Sequence, residues 1–489
     1  MAATPRTPLI DPDSLNLWGA GLGAVAVGVV SFGVILLPPA ATVGIVAGVV
    51  AATFFFARPA WSILLIFAGR VVIDLLWSVG GAVGGLNLLE LYGGGVAALA
   101  AAYFFIELRR VERQAGFTPL MVYFAVLVLA AVRSLNVRDA AEILAKYISP
   151  LLLMFLVASL VNTDLLRRRF LQLITAAGLV SLSLSVYHLA TGQRFQFYLQ
   201  GYYRLHGGYN NLHNHALFLL FLNALIFFWV MNVHTRAWRF ALLVIQAAGL
   251  LCLYFTFVRT ALTGFAVFVV IYLLMERRYN LLLGALGAGV LLLLTNTSLQ
   301  DRFYDVVVLL GDDDGADKRT VGSGRFGIWT SSFAQYLRSA PLDLVLGRGL
   351  GGHYELTDVY ADLYRSTKKS EDLDPHNDYL SLLFQLGPIA LVSYLSMQLL
   401  AARQGLELHR RSKDPFMAGF GRFIVALTAV TSVTNFLSNS FIQRVTVAWL
   451  FWGMVGVVYS MRRELPDEEK PTNTPPPRFR VVDGARVNV

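Results

Sequence analysis

Charge is what this sequence has least of. Asp, Glu, Lys and Arg together make up 15% of the 489 residues, against about 25% in an average soluble domain. So few charges cannot keep several globular surfaces in water. That excludes a cytosolic enzyme, a disordered chain and a coiled coil. Cysteine is nearly absent too: the one cysteine, Cys252, lies in an apolar run. An intrachain disulfide is therefore impossible, and a thiolate metal cluster is disfavoured. No internal repeat stands out, whereas many transporters carry two related halves. The N-terminus is polar through Asp13 and opens into an apolar run from Leu17, and no cleavable signal peptide is expected. The first span is expected to act as its own insertion signal.

What the chain has instead is long apolar runs. Apolar residues make up 56%, and the mean hydropathy is +0.59. A helix crossing a bilayer needs roughly 17–25 apolar residues. Fourteen runs qualify: 17–37, 39–57, 61–78, 86–106, 118–133, 145–161, 168–190, 215–232, 238–257, 259–275, 279–295, 378–401, 418–436 and 444–460. Several are short or nearly abut, so the reading is an all-α polytopic integral membrane protein with about 12–14 transmembrane helices. One large loop, 296–377, is inserted in a helical domain over 1–461. A Pro-rich tail, 462–489, is expected to be disordered and cytoplasmic.

The Lys/Arg bias of short loops sets the orientation. One set holds Arg58, Arg109, Arg110, Arg113, Arg167, Arg168, Arg169, Arg236, Arg239, Arg277, Arg278, Arg403, Arg410, Arg411 and Lys413. The alternate set holds only Arg133, Arg138, Lys146, Arg194, Arg204 and Arg444. The first set is assigned to the cytoplasm, which puts segments 191–214 and 296–377 outside. The net charge of +9 is thereby mostly a topology signal, and no nucleic-acid partner is expected. The large loop is net acidic. Trp329, Phe333, Tyr336 and Leu337 fall at helical spacing within it. Asp312, Asp313, Asp314 and Asp317 lack the full calcium-loop pattern, and no metal site is expected.

Charged residues within or beside spans are candidates for function. Arg70 and Asp74, at i and i+4, would form either a proton or ion relay or a structural pair. Arg204, Arg259, Arg325 and His376 all fall on the outer face of the expected topology. Arginine donates paired hydrogen bonds to phosphate oxygens and stays charged. Histidine accepts a proton near neutral pH. Such a set suits a lipid-phosphate substrate and an acceptor hydroxyl. His213 and His215 lack a third metal ligand, which favours a loop or cap role. The aromatics Phe195, Phe197, Tyr198, Tyr202, Tyr203 and Tyr209 read as an interfacial belt, with a sugar-stacking platform as the alternative.

The stretch HNDYLSLLFQLG carries His376-Asn377, nine residues, then Gly387. It resembles the His-Asn, nine-residue, Gly signature of the O-antigen ligase and polymerase superfamily. VRTALTGF (258–265), the Gly-Arg-x-x-x-Trp and Gly-x-Gly string of 322–351, and RLHGGYNNLHNHA (204–216) are similar to further segments of that family. In the last of these, His213 stands where Pro is usual.

The resemblance implies a C-type glycosyltransferase-like membrane fold in the bacterial inner membrane, active on its periplasmic face. It implies transfer of a glycan from undecaprenyl pyrophosphate to a lipid-linked repeat unit or to lipid A-core. The string from 322 to 351 leans the reading toward a surface polysaccharide polymerase over an O-antigen ligase. His376 would be the catalytic base of a metal-independent, inverting glycosyltransferase without cofactor. Arg204, Arg259, Arg325 and Asn377 would hold pyrophosphate or substrate. The competing reading is a lipid-linked oligosaccharide flippase or another polytopic transporter.

Overall fold

The computed structural model describes residues 49–76, 88–106, 116–134, 136–193, 195–197, 203–209, 211–297, 300, 304, 325–352, 375–439, 444–465, 479–482 and 485–488. The chain is an all-helical polytopic membrane protein with two short hairpins. Its helices are α1 (Pro59–Ile73), α2 (Leu88–Ile106), α3 (Phe117–Val132), α4 (Val137–Leu160) and α5 (Asp164–Thr191). A hairpin of β1 (Phe195–Phe197) and β2 (Tyr203–Leu205) follows. Next come α6 (Leu212–Asn232), α7 (Arg236–Phe255), α8 (Arg259–Met275) and α9 (Tyr279–Thr295). The large loop contributes α10 (Arg325–Leu337) and α11 (Pro341–Leu346), before α12 (Asp378–Arg411), α13 (Pro415–Leu437) and α14 (Val445–Arg462). In the tail, β3 (Phe479–Val482) pairs antiparallel with β4 (Ala485–Asn488).

Twelve of the expected runs thus appear as helices. Run 17–37 and most of 39–57 lie outside the described residues. Among the described residues, nine helices are long and apolar enough to cross a membrane, and α3, α8 and α9 are shorter apolar helices. Burial separates two kinds of span. In α14 every residue from Thr446 to Met461 is buried, so it is the central post. In α9 only Leu282 is buried, and exposed Leu and Val cover the rest, as suits a lipid-facing helix.

Contacts between helix ends sort the bundle into two faces. At one, Arg167 at the start of α5 donates to Ser460 Oγ (3.0 Å) and Glu464 Oε1 (2.6 Å) at the end of α14. Arg462 of α14 meets Glu407 of α12 at 2.8 Å. Arg422 near the start of α13 meets Glu276, which follows α8, at 2.5 Å. These are the ends that the basic loops were expected to share. Burial between spans is completed by polar contacts, as where Gln246 Nε2 of α7 donates to Asn223 Oδ1 of α6 at 2.8 Å.

One helix is broken. Gly387 in α12 has φ 75 and ψ 179, and Pro388 follows it. Proline has no N–H for the Phe384 carbonyl, and the non-helical glycine also frees that of Gln385. The segment 347–351 of the large loop supplies both. Arg348 N donates to Phe384 O (2.8 Å) and Gly349 N to Gln385 O (3.1 Å). Gly351 N donates to Gln385 Oε1 (2.9 Å). Arg133 at the end of α3 secures the loop through Gly347 O (2.6 Å) and Asp343 Oδ1 (2.7 Å).

The close approach leaves no room for side chains. A Cβ on Gly347 would lie 2.4 Å from the Gln385 carbonyl, and one on Gly387 would lie 2.3 Å from Val345 O. Both glycines also have positive φ. Gly347→Ala and Gly387→Ala are therefore expected to lower the melting temperature of the detergent-purified protein, each costing about 1–3 kcal/mol. Gly94→Ala, on α2 with nothing within 4 Å, should leave it unchanged or raise it. Equal melting temperatures for all three variants would refute the latch.

Candidate functional site

The expected site residues occupy the face opposite the basic loops. Arg204 sits on β2, paired with Gln196 of β1, and is 7% exposed. Burial of Leu205 and Tyr209 pins the strand to the bundle. The Tyr209 ring stacks on Phe218 at 5.5 Å and takes a hydrogen bond from Ser181. Tyr209 is thus a core residue, where the sequence suggested a belt or a sugar platform. Tyr203 is exposed, and the side chains of Phe195, Phe197, Tyr198 and Tyr202 lie outside the described residues.

Asn211 caps α6 by accepting from His213 N at 2.8 Å. The two histidines of the H-N-H then separate. His215 is buried, with Nε2 3.4 Å from Ser185 Oγ. His213 lies in the first turn at the site. Arg259 opens α8 directly after a tight turn in which Phe257 has φ 51. Thr256 Oγ1 closes that turn, donating to Leu253 O and accepting from Val258 N. Gly264, one turn and a residue further on, faces Leu220 of α6 and Val430 and Thr434 of α13. Arg259 therefore shares the end of the bundle at which α6 begins and α13 ends.

Arg325 opens α10 and donates through Nη1 to the Leu437 carbonyl at the end of α13. Trp329, one turn on, donates through Nε1 to Pro375 O at 3.0 Å. His376 follows, half-buried, with φ 49. Asn377 is 2% exposed. Its Oδ1 accepts from Tyr379 N (3.0 Å) and Leu380 N (3.1 Å) as the cap of α12.

The fold therefore brings Arg204, Arg325 and His376, distant in sequence, to one end of the bundle, with His213 and Arg444 beside them. Two members, His213 and Arg444, were not among the expected site residues. Arg444 Nη1 donates to Asn214 Oδ1 (2.5 Å) and Asn211 Oδ1 (3.1 Å), and Nη2 to Asn439 Oδ1 (3.3 Å). It joins the start of α14 to the start of α6. The signal available was its position, an arginine opening a span on the face where basic residues are few. Since α6, α8, α12 and α14 all start here, their positive ends add to the cationic field. Such a site suits an anion.

Arg70 and Asp74 lie beside this assembly and are closed on each other. Arg70 Nη2 is 3.1 Å from Asp74 Oδ1. Arg70 Nε donates to Thr446 Oγ1 at 3.1 Å, and Thr446 donates in turn to Asp74. The guanidinium also stands 5.4 Å over Trp449. The triangle ties α1 to α14 two residues from Arg444.

Residues 240–395 match the family model described as O-antigen ligase. That span is similar to an O-antigen ligase domain. It supports the O-antigen ligase and polymerase superfamily for this chain and with it a glycosyltransferase-like activity. No curated protein matches the chain. The matched domain contains Arg259, Arg325, Asn377 and His376, and the fold adds Arg204, His213 and Arg444 from outside it.

The closed triangle predicts a structural role for Arg70 and Asp74. Removing one partner leaves a buried charge and costs about 3–5 kcal/mol, whereas replacing both by apolar groups is often near neutral. Asp74→Ala is expected to lower the melting temperature more than the double variant Arg70→Met/Asp74→Leu, and the double variant should keep its transferase activity. An inactive but stable double variant would instead establish a relay.

Proposed function

We propose that this protein transfers a glycan from undecaprenyl pyrophosphate to an acceptor sugar hydroxyl at the periplasmic face of the bacterial inner membrane. The reading leans to a surface polysaccharide polymerase, whose acceptor is another lipid-linked repeat. An O-antigen ligase would use lipid A-core. The observation that carries it is that Arg204, Arg325, Arg444 and His376 share one end of the bundle, where α6, α8, α12 and α14 begin, with Arg204 and Arg444 supplied from outside the matched domain.

The acceptor oxygen attacks the anomeric carbon and the carbon–oxygen bond to pyrophosphate breaks. The acceptor proton passes to His376, and undecaprenyl pyrophosphate leaves with the bonding pair. Deprotonation in the transition state is what a general base contributes. Arg204 and Arg259 hold the pyrophosphate, and their fixed charges stabilise the leaving group. Arg325 adds to the field while gripping Leu437, and Asn377 fixes the turn that carries His376. Direct attack inverts the anomeric centre. The arginines and helix ends supply the charge neutralisation, so the reaction needs no metal or other cofactor.

The test is transfer from a fluorescent undecaprenyl-pyrophosphate-linked glycan by the purified protein in lipid nanodiscs with EDTA. Unlabelled lipid-linked repeat and lipid A-core are offered separately as acceptors. His376→Ala and Arg259→Ala should each lose at least about a hundredfold in rate. Full activity in either variant overturns its assigned role, and activity that EDTA abolishes and a divalent ion restores overturns the metal-free mechanism. Arg444→Ala should lose rate as well, with Arg444→Lys recovering little of it, since lysine cannot span three asparagines.

A further inference from the structure

His376 holds a backbone conformation that side chains other than glycine rarely adopt, with φ 49. Such a conformation persists only where its surroundings impose it. Both neighbouring residues are anchored. On the C-terminal side, the Asn377 carboxamide is fixed by two amides of α12. On the N-terminal side, the buried Pro375 offers its carbonyl to the Trp329 indole N–H at 3.0 Å.

Trp329 is itself fixed from three directions. Arg325, one turn earlier on the same face of α10, grips the Leu437 carbonyl. The Trp329 ring lies 5.0 Å from Phe436. On the next face of α10, Ile328 and Tyr336 pack against Phe384 of α12, with Tyr336 and Phe384 rings 5.5 Å apart. The loop helix is thereby clamped to α12 and α13 together, and its indole N–H is aimed at the peptide that precedes His376.

We propose that Trp329 is a positioning residue for His376. Its N–H holds the Pro375 carbonyl and so imposes the left-handed backbone that presents the imidazole to the acceptor hydroxyl. This rests on the reading of His376 as the base. The consequence is selective. Trp329 acts on the chemical step through His376 and leaves the arginines that hold the donor untouched.

Trp329→Phe keeps a ring against Phe436 and removes the N–H. In nanodiscs, with the fluorescent undecaprenyl-pyrophosphate-linked glycan as donor, kcat should fall about tenfold. The donor KM and the melting temperature should stay as in the wild type. Hydrogen exchange gives a readout independent of turnover: the amides of Tyr379 and Leu380, capped by Asn377, should exchange faster in the variant. A wild-type kcat beside an inactive His376→Ala overturns the clamp alone. So does a raised donor KM at unchanged kcat, which would make Trp329 a substrate contact. Exchange at Tyr379 and Leu380 identical to wild type likewise overturns it. Full activity in His376→Ala overturns the base reading itself, whatever Trp329→Phe does.

Discussion

The break at Gly387 is the constraint on which the site depends. A proline at 388 and a non-helical glycine before it leave two carbonyls in mid-helix without their usual donors. At membrane depth such groups must be satisfied by protein. The loop segment 347–351 does this with its backbone, which is why glycine stands at the closest contacts. Once that segment is docked, the loop helix just before it is confined over the start of α12. Trp329 then reaches Pro375, and Arg325 reaches Leu437. The nine residues between Asn377 and Gly387 are a helical half-segment of about two and a half turns. One end of it carries the proposed base, and the other carries the latch that holds the loop over it.

The rest of the bundle keeps that arrangement in register. At the far face, Arg167, Arg422 and Arg462 join helix ends by ion pairs that are partly or wholly shielded from water. At the site face the joints differ in kind. Arg325 takes a carbonyl and Arg444 takes three carboxamides, all neutral partners. Neutral partners orient a guanidinium without cancelling its charge. The site face has an ion pair of its own in Arg133 and Asp343, and the distinction lies in the carbonyl and carboxamide partners of Arg325 and Arg444.

Much of this architecture was legible in the sequence because lipid imposes length and apolarity on each span separately. Twelve runs appear as helices, most within a few residues of their expected ends, while α4 starts earlier and α12 runs further than expected. His376, Asn377 and Gly387 were legible as a spacing, although the spacing did not say that Gly387 marks a break. Arg325 was expected at phosphate or substrate, and the fold also gives it a carbonyl partner, Leu437. A guanidinium offers the same donors to either partner, so residue type alone could not distinguish them. Arg444 was counted only as a loop charge. Its partners, Asn211, Asn214 and Asn439, become neighbours only when α6 and α14 start side by side. Tyr209 failed for the same reason, since a tyrosine among exposed aromatics reads as interfacial until Phe218 is seen beneath it.

The manner in which these groups are held bears on how the site would work. Electrostatic stabilisation is most effective when charges and dipoles are fixed before reaction, because little reorganisation remains to be done as charge develops. Arg444 is tied by hydrogen bonds to three side chains, Arg325 to a helix-end carbonyl, and His376 through the Pro375 carbonyl and the Asn377 side chain on either side of it. None of these ties requires a substrate. On the proposed function, the field and the base would thus be set by the fold, and binding energy from a lipid-linked donor would be left to orient the anomeric carbon. A mobile base on a long loop would have had to be ordered at each turnover. The broken helix would avoid this by placing the proposed base at the start of a rigid segment whose far end is bonded to the loop above it.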